Sequence, residues 1–139
     1  MKRVLIDTNA LISFVTTRNL QQQELVSPLF EEAARAHREL LCPQNVLAEF
    51  AYVMSRVYSV PKGEVAIMIR DLIALPGVQI VEAIDWDIFL SLWPDKIQEY
   101  GDAVIATVAK AHRGVAVVTF DVKLAGTLKA LRVPLYVLE

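Results

Sequence analysis

Two apolar runs in this chain show almost no alternation between polar and apolar residues. The first is Val4-Leu5-Ile6, and the second extends from Val115 to Phe120. Strands inside a parallel sheet are covered by helices on both faces, so they appear in a sequence as continuous apolar runs. We therefore expect the chain to fold around a buried parallel sheet, which assigns it to the α/β class.

Helical patterns fill much of the sequence between the expected strands. Apolar residues recur at helical spacing from Glu24 to Glu39, again after Pro43, and from Gly101 to Gly114. Arg18 to Gln23 is predicted to be a polar connection. Strands are predicted at residues 2–6, 40–42, 78–81 and 134–138, in addition to the run from Val115 to Phe120. This alternation predicts a three-layer α/β/α sandwich with a mostly parallel sheet.

Length and composition limit the possible classes of protein. A chain of 139 residues is expected to form a single domain, 1–139. The uncharged stretches are too short to span a bilayer, no signal-peptide pattern precedes Asp7, and the one cysteine, Cys42, fits a reducing compartment, so we expect a cytoplasmic protein. Hydrophobic residues make up 55% of the chain, and this surplus suggests a homodimer.

Four acidic residues stand at positions that a parallel sheet would bring to one edge. Asp7 and Asp121 directly follow the two apolar strands, Asp102 opens a helix, and Glu49 lies early in another. The carboxyl ends of parallel strands and the amino ends of the following helices share one side of the sheet, where such folds bind ligands. We therefore expect the four carboxylates to lie close together.

Carboxylates that lie together repel one another unless a positive charge is present among them. Mg²⁺ and Mn²⁺ prefer oxygen ligands and need only a few carboxylates from the protein, so four acids can serve one ion or two. Divalent ions in such sites promote in-line displacement at phosphorus, so the expected substrate is a phosphodiester. The formal net charge of −2 argues against coating of nucleic acid through bulk positive charge, but it does not exclude a nuclease.

Polar residues beside these acids are candidates for supporting roles. Thr8 and Asn9 follow Asp7, and Thr119 lies two residues before Asp121. They can orient the carboxylates, although Thr8 and Asn9 are equally suited to cap a helix. Lys123 is the best single candidate for a contact with RNA, with a solvent-exposed helical lysine as the ordinary alternative. Trp86 and Trp93 are seven residues apart on one predicted helix, where packing is favoured over base stacking.

Four motifs in this order resemble those of the PIN domain family, and specifically its VapC-like toxins from toxin–antitoxin pairs. The segments that carry the resemblance are Ile6-Asp7-Thr8-Asn9, Val46-Leu47-Ala48-Glu49, Gly101-Asp102-Ala103-Val104-Ile105-Ala106 and Val118-Thr119-Phe120-Asp121. The resemblance covers essentially the whole chain.

The resemblance implies a five-stranded parallel sheet, an Mg²⁺- or Mn²⁺-dependent endoribonuclease, and inhibition by a small antitoxin protein. It also implies that Asp7, Glu49, Asp102 and Asp121 form the metal site, with Glu49 acting directly or through water, and that Thr119 supports it. Many relatives carry a further acid shortly after the fourth one, whereas Val122 and Lys123 stand here. The choice between one ion and two therefore stays open.

Two other functions are compatible with parts of this pattern. A phospho-receiver domain would need a pair of acids before its acceptor aspartate, whereas the first strand offers only Asp7. A non-catalytic module that keeps the fold and binds RNA or protein is a closer alternative. The presence of all four acids favours the nuclease, and a response of thermal stability to Mn²⁺ would separate the two.

Overall fold

A computed structural model describes residues 2–139; the expected domain also includes Met1, which lies outside the described residues. Strands and helices alternate along most of the chain. In order, they are β1 (Arg3–Ile6), α1 (Thr8–Val15), α2 (Leu20–Ala34), β2 (Glu39–Pro43), α3 (Gln44–Arg56), α4 (Lys62–Ile73), β3 (Val78–Val81), α5 (Trp86–Leu92), α6 (Tyr100–Ala111), β4 (Val115–Val118) and α7 (Val122–Ala130).

The four strands form one parallel sheet in the order β3-β2-β1-β4. Strand β1 is central: Val4 pairs with Leu40 of β2 on one side and with Ala116 of β4 on the other. The chain therefore extends the sheet in both directions from β1, and the carboxyl ends of all four strands lie at the same edge. Asp7 prolongs this pairing, because its backbone N–H donates to the Val118 carbonyl at 3.0 Å.

Apolar side chains from the sheet and the helices around it form one continuous core. Strand β1 is covered on both faces, as its continuous apolar run predicted: Leu5 and Ile6 have no exposed surface. Helix α6 contributes an almost unbroken buried stretch from Ala103 to Ala109. Among the described residues, no helix is both long and apolar enough to cross a bilayer.

The α/β sandwich with a parallel sheet is confirmed, and its differences from the expected boundaries are local. Helix α2 begins at Leu20 rather than near Glu24, because the Asn19 side chain accepts a hydrogen bond from the Gln22 N–H at 3.0 Å and caps the helix. The same helix ends at Ala34 rather than at Glu39. Ala36 adopts a positive φ of 58°, a conformation that ends helices, and the chain then enters β2.

The fifth strand, expected at residues 134–138, is reduced to a single bridge between Val117 and Leu135. The Val117 N–H donates to the Pro134 carbonyl, and the Tyr136 N–H donates to the Val117 carbonyl, each at 2.9 Å. Pro134 has no N–H of its own, so it cannot add a donor to the ladder. The carboxyl-terminal segment therefore protects the edge of β4 through two hydrogen bonds without forming a full strand.

Candidate metal centre

Asp7 is the most buried of the four predicted acids, with 8% of its surface exposed. It follows β1 and occupies the N-cap of α1, where its Oδ1 accepts the Thr8 N–H at 2.8 Å. Its Oδ2 accepts the Thr119 hydroxyl at 2.8 Å and the Asn9 side-chain amide at 3.0 Å. Both carboxylate oxygens therefore accept hydrogen bonds, from residues just after β1 and from Thr119 just after β4.

A small network links this carboxylate to the fourth acid. Asn9 Nδ2 also donates to Thr119 Oγ1 at 3.2 Å, and Asn9 Oδ1 accepts the Phe120 N–H at 2.9 Å. Thr119 Oγ1 accepts the Asp121 N–H at 3.1 Å. Asn9 and Thr119 thus tie the exit of β1 to the exit of β4, which is the position expected of supporting residues.

Asp121 and Asp102 are presented by the amino ends of two helices. Asp121 caps α7, because its Oδ1 accepts the Leu124 N–H at 3.1 Å. Asp102 lies in the first turn of α6 and is half-buried. Negative charge at a helix amino end is favoured by the helix dipole, so each of these carboxylates is stabilised locally.

Glu49 projects from the first half of α3 toward the same region. The residue is exposed, but a Cβ built on Gly101 would lie 3.6 Å from Glu49 Oε2, so the end of this side chain packs beside α6. Thr8 Oγ1 is buried and makes no hydrogen bond within the described residues, although its hydroxyl is close enough to oppose the rise in the pKa of Glu49. A buried hydroxyl without a partner is costly, and this one lies beside the acids.

The pKa values show that the four charges act on one another. Burial, followed by the charges of Asp7, Asp121, Glu49 and Glu99, raises the pKa of Asp102 to about 6. Burial and the charge of Asp7 raise the pKa of Glu49. Burial and the charge of Asp121 also raise the pKa of Asp7, although hydrogen bonds from Thr119, Thr8 and Asn9 oppose the change.

Among the described residues, no basic side chain forms an ion pair with these four acids. The two ion pairs found within residues 2–139 join Arg3 to Glu39 and Arg38 to Glu32, and neither includes any of the four acids. The donors available are hard carboxylate oxygens, and the local charge is negative and unneutralised. Both features fit Mg²⁺ or Mn²⁺ and not a softer metal that prefers sulfur or imidazole.

The carboxylates are neighbours, but they do not converge on one point. Within the part of the chain that the structure describes, no three His, Cys, Asp or Glu side chains are grouped tightly enough to enclose an ion. Hydrogen bonds hold the Asp7 and Asp121 carboxylates as helix caps. The acids therefore fit a cation by chemistry and charge, while their side chains remain apart.

Lys123, the predicted RNA contact, lines a polar cleft of about 270 Å³ beside Asp102. Lys96, from the loop before α6, lies in the same cleft and was not predicted. A lysine in an irregular loop has no periodic signal that would distinguish it from any other exposed lysine. Asn45 was missed as well: its Nδ2 would lie 3.7 Å from a Cβ on Gly101. Its position one helical turn before Glu49 was a usable signal.

Comparisons with known proteins agree with this architecture. The family model described as PIN domain matches residues 4–127. Among solved structures, the chain is similar to VapBC2 from Rickettsia felis, determined bound to a DNA fragment from their promoter, with a TM-score of 0.66 and 17% sequence identity over 96% of each chain. At that identity the similarity concerns the fold. No match was found among curated proteins.

Proposed function

Because the chain belongs to the PIN domain family, we propose that it is an Mg²⁺- or Mn²⁺-dependent endoribonuclease and the toxin of a VapBC-type toxin–antitoxin pair. The observation that carries this proposal is the set of four neighbouring carboxylates, where burial and mutual repulsion raise the pKa of Asp102 to about 6. The fold shared with VapBC2 adds support for the toxin assignment. A non-catalytic module would not require this repulsion among four carboxylates.

In the proposed site, Asp7, Asp102 and Asp121 hold the ion, and Glu49 contributes directly or through water. When bound, a divalent ion activates water and neutralises the charge that develops during in-line displacement at phosphorus. Thr119 and Asn9 keep the Asp7 carboxylate oriented, because both donate to its Oδ2. The proposal leaves the number of ions at one or two, since Val122 and Lys123 follow the fourth acid.

The test is cleavage of single-stranded RNA by the purified chain. Activity is expected with Mn²⁺ or Mg²⁺ and is expected to disappear in EDTA and in the Asp7→Asn variant. A matched pair isolates the acid on α3: Glu49→Gln should lower the rate at least tenfold, whereas Glu31→Gln, an exposed acid on α2, should not change it. Cleavage that persists in EDTA and in Asp7→Asn would refute the proposal. The absence of both cleavage and stabilisation by Mn²⁺ would favour the non-catalytic module.

We propose that the cleft beside Asp102 holds RNA phosphates. Lys123 of α7 and Lys96 of the loop before α6 both line it, and Thr127 adds a hydroxyl. Asp95 and Glu99 also line the cleft, so it is not a basic patch that would bind any polyanion. Its two lysines instead suit a backbone that is already held by a cation at the acids.

The proposed antitoxin would bind in an apolar groove on the side of α1 and α4. The groove has a volume of about 280 Å³, and apolar side chains form most of it: Leu11, Phe14, Val15, Phe50, Met68, Leu72 and Leu75. An amphipathic helix that buries its apolar face is a suitable occupant. Co-expression with the small protein encoded beside this gene should yield a stable complex, and Met68→Lys should weaken it. A complex unaffected by Met68→Lys would contradict this location.

Oligomeric state and location are further parts of the proposal. Exposed apolar residues on α3 and α4, including Tyr52 at 63% and Ile67 at 50%, support a homodimer. Sedimentation that finds only monomer at micromolar concentration would contradict it. One continuous core supports a single domain. The RNA substrate and the buried free thiol of Cys42 fit the cytoplasm.

A further inference from the structure

A second pocket adjoins the acids on the opposite side of α6 from the lysine cleft. It lies between the start of α3, the end of β3, and the first turns of α5 and α6, and its volume is about 190 Å³. The pocket is open to solvent and large enough for a flat ring system.

Two aromatic side chains line this pocket and remain largely exposed. Trp86 is 56% exposed and Tyr100 is 48% exposed. Both rest on the buried ring of Phe89, whose centroid is 5.5 Å from that of Trp86 and 4.8 Å from that of Tyr100. The exposed rings are thus supported from below by a rigid core residue. Supported, solvent-exposed aromatic rings are the surfaces on which unpaired bases stack.

The structure changes the interpretation of the tryptophans. Trp93 lies beyond the end of α5 rather than on the same helical face as Trp86, and its indole N–H donates to the Gln98 carbonyl at 2.9 Å. Trp93 is therefore a packing residue, as expected. Trp86 has no such hydrogen bond within the described residues, and its ring borders open space. The expectation of packing does not account for it.

Polar groups on the same pocket can recognise the edge of a base. Asn45 Oδ1 is buried and has no hydrogen-bond partner within the described residues, although the side chain lines the pocket. Gln44 and Glu82 also line it. Carboxylate and amide acceptors pair with the exocyclic amines of bases. The unmet acceptor of Asn45 would gain a partner when a donor-bearing ring occupies the pocket.

Asn45 also connects this pocket to the proposed metal site. A Cβ on Gly101 would lie 3.7 Å from Asn45 Nδ2 and 3.6 Å from Glu49 Oε2, so the amide and the carboxylate flank the same point on α6. Gly101 is flanked by Tyr100, which lines the aromatic pocket, and by Asp102, which lines the lysine cleft. A strand held at the acids thus has a phosphate-binding cleft on one side and an aromatic pocket on the other.

We propose that the pocket lined by Trp86, Tyr100 and Asn45 binds one unpaired nucleobase of the RNA beside the cleaved phosphodiester. This inference rests on the proposed ribonuclease function and adds a site of base selection to it. Trp86 and Tyr100 supply the stacking surface, and Asn45 with Glu82 favours bases that carry an exocyclic amine. The site would make cleavage depend on the base at one position of a single strand.

The test measures binding separately from cleavage. Affinity of the Asp7→Asn background for a short single-stranded RNA is followed by fluorescence anisotropy with Mn²⁺ present. Adding Trp86→Ala should weaken binding about 5- to 150-fold, the range found for loss of one base–aromatic stack. Trp86→Phe should retain most of the affinity. Tyr58→Ala serves as the control, since Tyr58 is a 39% exposed aromatic beyond the other end of α3.

An abasic scan of the same RNA locates the base. Removing one base at a single position should weaken binding of the parent protein by a similar factor, and that loss should not add to the effect of Trp86→Ala, because both remove the same stack. In the active protein, Trp86→Ala and Asn45→Ala should change the preferred base at the cleavage position. Unchanged affinity in Trp86→Ala, or full additivity at every abasic position, would overturn the base pocket while leaving the ribonuclease intact. Failure of the parent to bind any RNA would overturn both.

Discussion

Replacing Asp102 with asparagine is expected to stabilise the metal-free protein at neutral pH. Burial, followed by the charges of Asp7, Asp121 and Glu49, raises the pKa of this carboxyl from its ordinary 3.8 to about 6. The folded state therefore holds the proton more tightly than the unfolded chain does. Stability falls as the pH rises from about 3.8 to about 6, and the deficit persists above that range. Asparagine has almost the same shape and carries no charge, so the deficit disappears.

The magnitude follows from the pKa of Asp102. A rise from 3.8 to about 6 corresponds to at most about 3 kcal/mol at 1.36 kcal/mol per pH unit. Asp102 is only half-buried, so solvent screening reduces this to about 1–2 kcal/mol. The variant also loses a favourable charge in the first turn of α6, which costs about 0.3–1 kcal/mol. A net gain of about 1 kcal/mol remains, or roughly 3–5 °C in Tm.

Urea unfolding in EDTA, followed by circular dichroism at pH 4 and pH 7.5, measures this difference. The variant should be more stable at pH 7.5, and the gap should close at pH 4. Asp87→Asn is the control, because Asp87 lies in the first turn of α5 and is exposed. Saturating Mn²⁺ should reverse the order, since an ion at 100 times its Kd stabilises the parent by about 2.7 kcal/mol. If Asp102→Asn is destabilised at pH 7.5 to the same extent as Asp87→Asn, the charge argument is refuted.

Further variants test the surroundings of the site and the packing at the opposite edge of the sheet. Thr119→Val should destabilise the fold by about 1–3 kcal/mol in thermal unfolding. It leaves the Asp121 N–H without its acceptor and removes a donor to Asp7. Thr119→Ser keeps the hydroxyl and should retain most of the stability. Lys123→Ala should weaken binding of all RNA sequences alike and reduce the slope of log affinity against log salt concentration by about 0.7. Lys129→Ala, at the other end of α7, is the control and should leave this slope unchanged. Gly77→Ala should cost about 3 kcal/mol or more in urea unfolding, since the new Cβ would lie 2.1 Å from the Arg38 carbonyl oxygen; a smaller loss would contradict the rigidity of this contact.

The elements that could be predicted are those specified by local sequence. Asp85 and Asp121 cap their helices through local contacts, because each accepts the N–H three residues later. The buried strands were expected from their continuous apolar runs. Asn19, in contrast, extends α2 by a full turn through one side-chain hydrogen bond within a polar segment. A single cap in a polar stretch competes with many turn conformations, and apolar periodicity carries no information about it.

The parts of the site that could not be predicted depend on long-range contacts. Asp7, Thr119 and Asn9 were predicted as neighbours because strand ends share an edge, and their hydrogen bonds follow from that topology. Lys96 and Trp86 face their pockets only because the loop before α6 and the start of α5 pack where they do. The pairing of Trp86 with Tyr100 across Phe89 joins residues whose roles are set by tertiary packing, and neither has a local signal for exposure.

The preference of helix amino ends for acidic residues explains how the fold accommodates its acids. It also determines which substitution separates a ligand role from a capping role. Asp7 and Asp121 are N-caps, and Asp102 lies in the first turn of a helix, so each charge is favoured by its own helix before the parallel topology brings the charges together. Replacing Asp121 with alanine would therefore remove both a proposed ligand and the cap that accepts the Leu124 N–H. Asparagine caps helices as well as aspartate does, so it removes the charge and preserves the cap. A loss of activity in an alanine variant is ambiguous at these positions, whereas a loss in an asparagine variant with unchanged stability isolates the carboxylate.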